Sequence, residues 1–208
     1  MNAPGGDINL DLIQPVVLTG GSSRRYGTDK LRLPLPEGGM LVDRPIRALR
    51  EVFGPRVKVV GACHPEVAAR GDGVIADPRP GVGPAGGILA ALEASGTDVF
   101  VLPGDVPRIR PATVRVMLAA LSGVGPEVWC VVGETAGPEP CIGVYRPGAA
   151  ALLRVCLAAG AGRLRDAFPD LRRVLVPISV EDASNLNVPG DCAYLNPVNP
   201  GKTGNDLV

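Results

Sequence analysis

Residues 20–30 read Gly-Gly-Ser-Ser-Arg-Arg-Tyr-Gly-Thr-Asp-Lys and concentrate groups that handle phosphate. Gly20 and Gly21 offer backbone N–H groups unobstructed by side chains, Ser22 and Ser23 add hydroxyls, and Arg24, Arg25 and Lys30 add positive charge. Adjacent N–H groups form an anion-binding concavity, and cations beside it neutralise charge developing on a phosphoryl group. The segment is no Walker loop, because Lys30 follows an aspartate, no Ser or Thr follows it, and the glycine spacing differs. Lys30 stands out, since Lys30, Lys58 and Lys202 are the only lysines among 21 cationic residues. Lysine is a compact point charge that can reach a phosphate, whereas arginine is a planar fork. Asp77 and Asp105 supply complementary chemistry. A carboxylate just past a strand end can hold magnesium or a ribose hydroxyl, although aspartates also serve simply as turn residues.

A second glycine pattern, Gly81-Val-Gly83-Pro-Ala-Gly86, fits G-x-G-x-x-G, with Asp105 lying 19 residues later. A dinucleotide dehydrogenase is a rival on that pattern, and several features oppose it. Pro84 removes an N–H from the would-be pyrophosphate loop, residues 78–80 separate the glycines from the preceding strand, and Pro103-Gly104 hold Asp105 off its strand.

These loops must be carried by a chain of 208 residues, enough for one domain with a substantial core. Apolar residues make up 46% and charged residues 20%, which indicates a globular fold. Lys+Arg and Asp+Glu both total 21, so a broad nucleic-acid-binding face is disfavoured. The five cysteines form no CxxC pair and read as buried thiols, and the single histidine, His64, has no second imidazole for a relay or a metal site. A Ser-His-Asp hydrolase would also need a G-x-S-x-G elbow, and none is present. The first 14 residues lack the apolar core of a secretory signal, and no apolar run reaches the roughly 18 residues of a membrane span. A soluble, cytoplasmic protein with no membrane partner is expected.

Short apolar runs at 15–18, 57–62, 74–76, 98–102, 128–132, 142–145 and 171–178 predict strands. Helices are predicted at 41–53, 88–94, 111–121 and 149–159, with a loop at 81–87. Apolar runs alternating with helices predict an α/β fold, with a sheet covered on both faces. Residues 15–195 form the predicted domain, flanked by loose termini at 1–14 and 196–208. In such sheets ligands bind at the carboxyl ends of the strands, where Lys30, Asp77 and Asp105 fall in this reading.

The run L-T-G-G-S-S-R-R-Y-G-T-D-K (18–30) resembles the signature loop of nucleotidyltransferases that adenylate, guanylylate or cytidylylate phosphorylated cofactors and sugars, with Thr19 and Tyr26 in place of the family's Ala and Met. Four later blocks extend the resemblance: D-P-R-P-G-V-G-P-A-G-G-I-L-A-A-L (77–92), L-P-G-D-V-P (102–107), E-P-C-I-G-V-Y-R (139–146) and N-L-N-V-P-G-D (185–191). Together they are similar above all to the molybdenum cofactor guanylyltransferases. The resemblance implies a single-domain, Rossmann-like three-layer sandwich with a mostly parallel mixed sheet. It implies GMP transfer from GTP to the terminal phosphate of molybdopterin or its molybdenum-bearing form, with magnesium as cofactor, pyrophosphate as by-product and molybdenum-enzyme maturation proteins as partners.

The same resemblance assigns roles by position. Leu18, Thr19, Gly20 and Gly21 meet the nucleotide, Lys30 neutralises the triphosphate, and Arg25 is a second phosphate contact. Asp105 holds magnesium, Asp77 contacts the guanine nucleotide, and Asn185 and Asn187 lie near the metal or the acceptor. The chain departs from the family's pattern at Gly61-Ala62-Cys63-His64, where an asparagine is common, at Cys141, which replaces an apolar residue, and at Gly190, which replaces an acid. The alternatives are the same chemistry with CTP or with another phosphorylated acceptor, such as phospholactate or a sugar phosphate, and a non-catalytic nucleotide-binding module.

Overall fold

The computed structural model describes residues 8–20, 29–160, 164 and 172–186. Side chains alternate along its central strands, and both faces are apolar. β1 (Ile13–Leu18) sends Ile13 and Val17 into one core cluster and Val16 and Leu18 into another. β4 (Asp98–Pro103) divides Phe100 and Leu102 from Val99 and Val101 in the same way. A strand covered on both sides has no polar face to present, which is why these segments read as unbroken apolar runs.

The remaining strands are β2 (Lys58–Val60), β3 (Val74–Ile75), β5 (Cys130–Glu134), β6 (Pro138–Tyr145) and β7 (Arg173–Pro177). They form one seven-stranded sheet in the order β3-β2-β1-β4-β6-β5-β7. β6 runs antiparallel to both its neighbours, while the other adjacent pairs are parallel. The expected α/β architecture with a mostly parallel mixed sheet is therefore the observed one.

On one face lie α1 (Asp43–Phe53) and α4 (Pro111–Ser122), which pack against each other. α1 buries Ile46, Leu49 and Phe53 at helical spacing, turns its arginines outward and stops at Gly54, whose φ of 74° is left-handed. On the other face α3 (Pro84–Ser95) packs on the sheet and against α5 (Ala149–Ala158), and every residue from Ala85 to Leu92 is buried. Short helices α2 (Pro65–Ala68) and α6 (Val180–Ala183) complete the set. His64 caps α2, its Nδ1 accepting from the Glu66 N–H at 3.2 Å.

Several element boundaries differ from the sequence expectation by a few residues, and those of β1, α3 and β6 have a physical reason. β1 begins at Ile13 rather than at residue 15, pairing Ile13 with Asp98 and Gln14 with Val99. Ahead of it, residues 10–12 form a 3-10 turn capped by Asn9, and Arg56 donates to the carbonyl of Leu10. The predicted loop at 81–87 becomes helix from Pro84 onward. Proline suits the first helical position, and the two glycines that argued against a helix allow a close approach. A Cβ on Gly87 would stand 3.0 Å from Leu18 Cδ2, and one on Gly86 would stand 2.8 Å from Val82 Cγ2. β6 starts at Pro138, four residues before the predicted 142; Pro138 and Pro140 lack the N–H that a strand residue offers its neighbour, which hides this start in the sequence. Tyr145, fully buried at its far end, donates its hydroxyl to the Pro140 carbonyl.

Asp98, at the start of β4, is half-buried, and that burial raises its carboxyl above the ordinary range against the opposing pull of Arg146, 4.0 Å away. An acid whose folded value lies above its unfolded one weakens the fold increasingly as pH rises from the unfolded value to the folded one, and costs nothing below both. Asp98→Asn is therefore expected to melt above the wild type at neutral pH. That gain should fade as pH is lowered through the folded value, read by thermal unfolding across the range. A gain independent of pH would locate its origin in packing rather than charge.

Candidate active site

Backbone comes together with almost no side chain between at the carboxyl end of β1. Thr19 donates both its N–H and its hydroxyl to the Val60 carbonyl at 2.9 Å, tying the end of β1 to the end of β2. Gly61 follows with φ +100°, and a Cβ there would stand 3.1 Å from the Cα and N of Gly20. On the other side the Gly104 N–H donates to the Leu18 carbonyl at 3.0 Å, and a Cβ on Gly104 would meet Leu31 Cδ2 at 3.0 Å. The result is a floor of main chain beneath the loops that leave β1, β2 and β4.

Lys30 opens a 3-10 turn (Lys30–Arg32) whose cap is Asp29, with Oδ1 accepting from the Leu31 N–H at 3.1 Å. Its Nζ meets Asp105 Oδ2 in an ion pair that is largely shielded, the two side chains being 20% and 17% exposed. Nζ also donates to the Leu186 carbonyl at 3.3 Å. Leu186 in turn donates its N–H to the Asp105 carbonyl at 2.9 Å and buries its side chain against Leu35 and Leu41. Segments far apart in sequence thus converge on one cation and one carboxylate.

Asp77 lies on the α3 side, two residues past β3. Its Oδ1 accepts from the Arg79 N–H at 2.8 Å, while Oδ2 would be 3.2 Å from a Cβ on Gly86, inside the first turn of α3. Opposite, β6 runs backwards, so its first residues reach the same end of the sheet as Asp105. Burial pushes the Cys141 thiol up to about 12, helped by the negative charges of Asp105 and Glu139. A thiol held that high is protonated at neutral pH and is no nucleophile.

Of the residues expected from the sequence, Leu18, Thr19, Gly20, Lys30 and Asp105 are brought to one place, with Asp77 along the adjoining helix start and Asn185 exposed beside Leu186. Gly21, Arg25 and Asn187 lie outside the described residues. Sequence reasoning gave Lys30 and Asp105 separate duties and missed that they pair. It also missed Leu186, which acts through its backbone, and the capping role of Asp29, for which an Asp before a Lys-Leu-Arg turn was an available signal.

Lys30 and Asp105 meet at the carboxyl ends of neighbouring parallel strands, where open α/β sheets bind their ligands. The fold is that of nucleotidyltransferases. It superposes on molybdopterin-guanine dinucleotide biosynthesis protein A from Archaeoglobus fulgidus with TM-score 0.69 at 23% identity, over 88% of this chain and 96% of that one. It also matches 4-diphosphocytidyl-2C-methyl-D-erythritol synthase from Anaerococcus prevotii with TM-score 0.68 at 13% identity, over 90% and 96%. Residues 15–174 match the MobA-like NTP transferase domain, and the chain belongs to that family. A probable molybdenum cofactor guanylyltransferase from Chloroflexus aggregans is 33% identical over 215 aligned positions, covering 90% of this chain and 97% of the relative.

The main-chain floor makes a differential prediction. Gly38 has φ +91° with open space around its Cβ position, whereas Gly61 combines φ +100° with backbone at 3.1 Å. Gly61→Ala is expected to cost about 1–3 kcal/mol in urea unfolding, more than Gly38→Ala, because it adds a collision to the backbone strain. Equal losses would mean that the ends of β1 and β2 do not approach this closely.

Proposed function

We propose that this chain transfers GMP from GTP to the terminal phosphate of molybdopterin, or of the molybdenum cofactor built on it, releasing pyrophosphate. The observation that carries the reading is the Lys30–Asp105 pair at the carboxyl ends of β1 and β4, in a chain of this family. An acceptor phosphate oxygen attacks the α-phosphorus of GTP. The new O–P bond forms as the bond from the α-phosphorus to the bridging oxygen breaks, and pyrophosphate leaves with that electron pair. The acceptor phosphate is already anionic at neutral pH, so no side chain must take a proton. Alignment and charge neutralisation are what the protein supplies.

Lys30 supplies the positive charge. With no polyphosphate bound it is balanced by Asp105. Phosphate oxygens take over that ammonium and release the Asp105 carboxylate. Because the Thr19 N–H and hydroxyl are both committed to Val60, its carbonyl is the group it offers the nucleotide, with Leu18, Gly20 and Gly21 beside it. Asp77 is assigned to the guanine nucleotide, whose ring N–H groups need an acceptor, and Arg25 to a second phosphate. Asn185 and Asn187 are assigned to the acceptor side.

Asp105 fits a magnesium ion: it is a shielded carboxylate beside a phosphate-binding cation, and magnesium usually takes one or two carboxylates together with phosphate oxygens and water. When bound, the ion would add charge neutralisation at the phosphates. Among the described residues no helix is long and apolar enough to cross a membrane. The proposal places the reaction in the cytoplasm, with the product passing to maturation proteins of molybdenum enzymes.

Pyrophosphate release with molybdopterin, compared for GTP, CTP and ATP with and without magnesium, tests the reading. Release with GTP alone is expected; release only with CTP or ATP would keep the chemistry and replace the product. Lys30→Ala is expected to lower kcat about 10²–10³-fold, and a wild-type rate in that variant would end the assignment. Asp105→Ala is expected to abolish magnesium-dependent turnover, and unchanged metal dependence would move the metal elsewhere.

A further inference from the structure

Among the described residues Asp182 is the one buried charged side chain, at 1% exposure. It sits in α6, the single turn between β7 and Leu186, which Ser179 caps by accepting from the Glu181 N–H at 3.1 Å. Arg110 donates to it twice, Nε to Oδ1 at 2.8 Å and Nη2 to Oδ2 at 3.1 Å, and the Thr113 hydroxyl donates to Oδ2. Arg110 stands at the N-cap position of α4 and Thr113 lies in its first turn, so this carboxylate fastens the late segment of the chain to the start of α4.

The two partners of Asp182 lie shortly downstream of Asp105, and Asp182 itself lies four residues before Leu186. The link from Asp105 to Arg110 and the link from Asp182 to Leu186 are therefore joined at both ends. At one end is the carboxylate with Arg110 and Thr113; at the other the Leu186 N–H meets the Asp105 carbonyl at 2.9 Å. The next group along is the Leu186 carbonyl, which accepts from Lys30 Nζ.

A buried charge is a weak way to stabilise a fold, because desolvation offsets most of what pairing returns. What bidentate pairing does supply is direction. We propose that Asp182 is a positioning residue for Lys30: through the segment it anchors, it sets the Leu186 carbonyl and so the direction of the lysine ammonium. Lysine has a flexible four-carbon stem, and its salt partner Asp105 fixes only the tip. The Leu186 carbonyl stays available to Lys30 when Asp105 turns to a cation. The kinetic consequence rests on the nucleotidyl-transfer reading, but the structural one does not.

The small number of lysines makes the test direct. Protein labelled with ¹³Cε and ¹⁵Nζ lysine has one signal each for Lys30, Lys58 and Lys202, and Lys30→Arg identifies the first. Asp182→Asn and Thr113→Val are expected to move the Lys30 signal toward those of the other two, which stay in place, while Thr113→Ser restores it. In steady state the first two variants are expected to lose about tenfold in kcat with KM for GTP within about twofold, and Thr113→Ser to recover kcat. An anchor that only stabilised the fold would lower the melting temperature and leave the Lys30 signal and kcat unchanged, and that result overturns the proposal. If Asp182→Asn does not fold, Thr113→Val, which keeps the carboxylate and Arg110, decides. If the wild type releases no pyrophosphate with any nucleotide, the transfer reading fails, and the Lys30 signal alone decides the positioning role.

Discussion

Main chain has to meet main chain at the end of β1, and much of the surrounding sequence follows from that. The Leu18 carbonyl is used by Gly104, Thr19 is tied to Val60, and Gly61 crosses against Gly20. At Gly61 and Gly104 the approach is this close because no Cβ intervenes. A side chain at either glycine would press on Gly20 or on the Leu18 carbonyl and displace the loops that carry Lys30 and Asp105. The same demand reaches the helix behind the sheet, where Gly87 lets α3 rest on Leu18. Glycine inside a helix costs about 1 kcal/mol relative to alanine, so its presence there marks a position where closeness outweighs helix propensity.

On that floor stands a pair of opposite charges that are neither buried nor free. At 20% and 17% exposure, Lys30 and Asp105 retain part of their hydration and satisfy each other. A lone ammonium or carboxylate in that place would be drawn toward solvent; together they hold each other in position. The contact thereby keeps both groups pre-aligned, and the proposed reaction would require an exchange of partners rather than recruitment of distant side chains. The Leu186 backbone touches both residues and links that exchange to the last described segment of the chain.

The parts of this arrangement legible in sequence were those governed by local pattern. The seven strands lay near the expected apolar runs, most plainly β1 and β4, because a doubly covered strand is apolar on both faces. Lys30 and Asp105 were legible as candidate site residues, the first through composition and the second through its place just past a strand. Less visible were features decided by distant partners. The start of α3 was hidden by glycines whose purpose is contact with Leu18 and Asp77, and the start of β6 by prolines. Asp182 reads as one acid among many in a polar stretch; only the fold brings Arg110 and Thr113 to it. The direct contact of Lys30 with Asp105, across 75 residues, belongs to the same class.

The reversed direction of β6 has a consequence for how such a molecule can diversify. Because this strand begins at the end of the sheet where the parallel strands finish, the link between β5 and β6 reaches that end as the tip of one hairpin. Lys30, Asp77 and Asp105 come instead from the stretches that follow β1, β3 and β4. Lengthening or rewriting the hairpin tip would therefore alter that end of the sheet without disturbing the covalent neighbours of those three residues. The two surfaces are inherited on separate stretches of chain, and the hairpin can take up a few inserted residues close to where the sheet register is already relaxed by the irregularity between Val132 and Gly133.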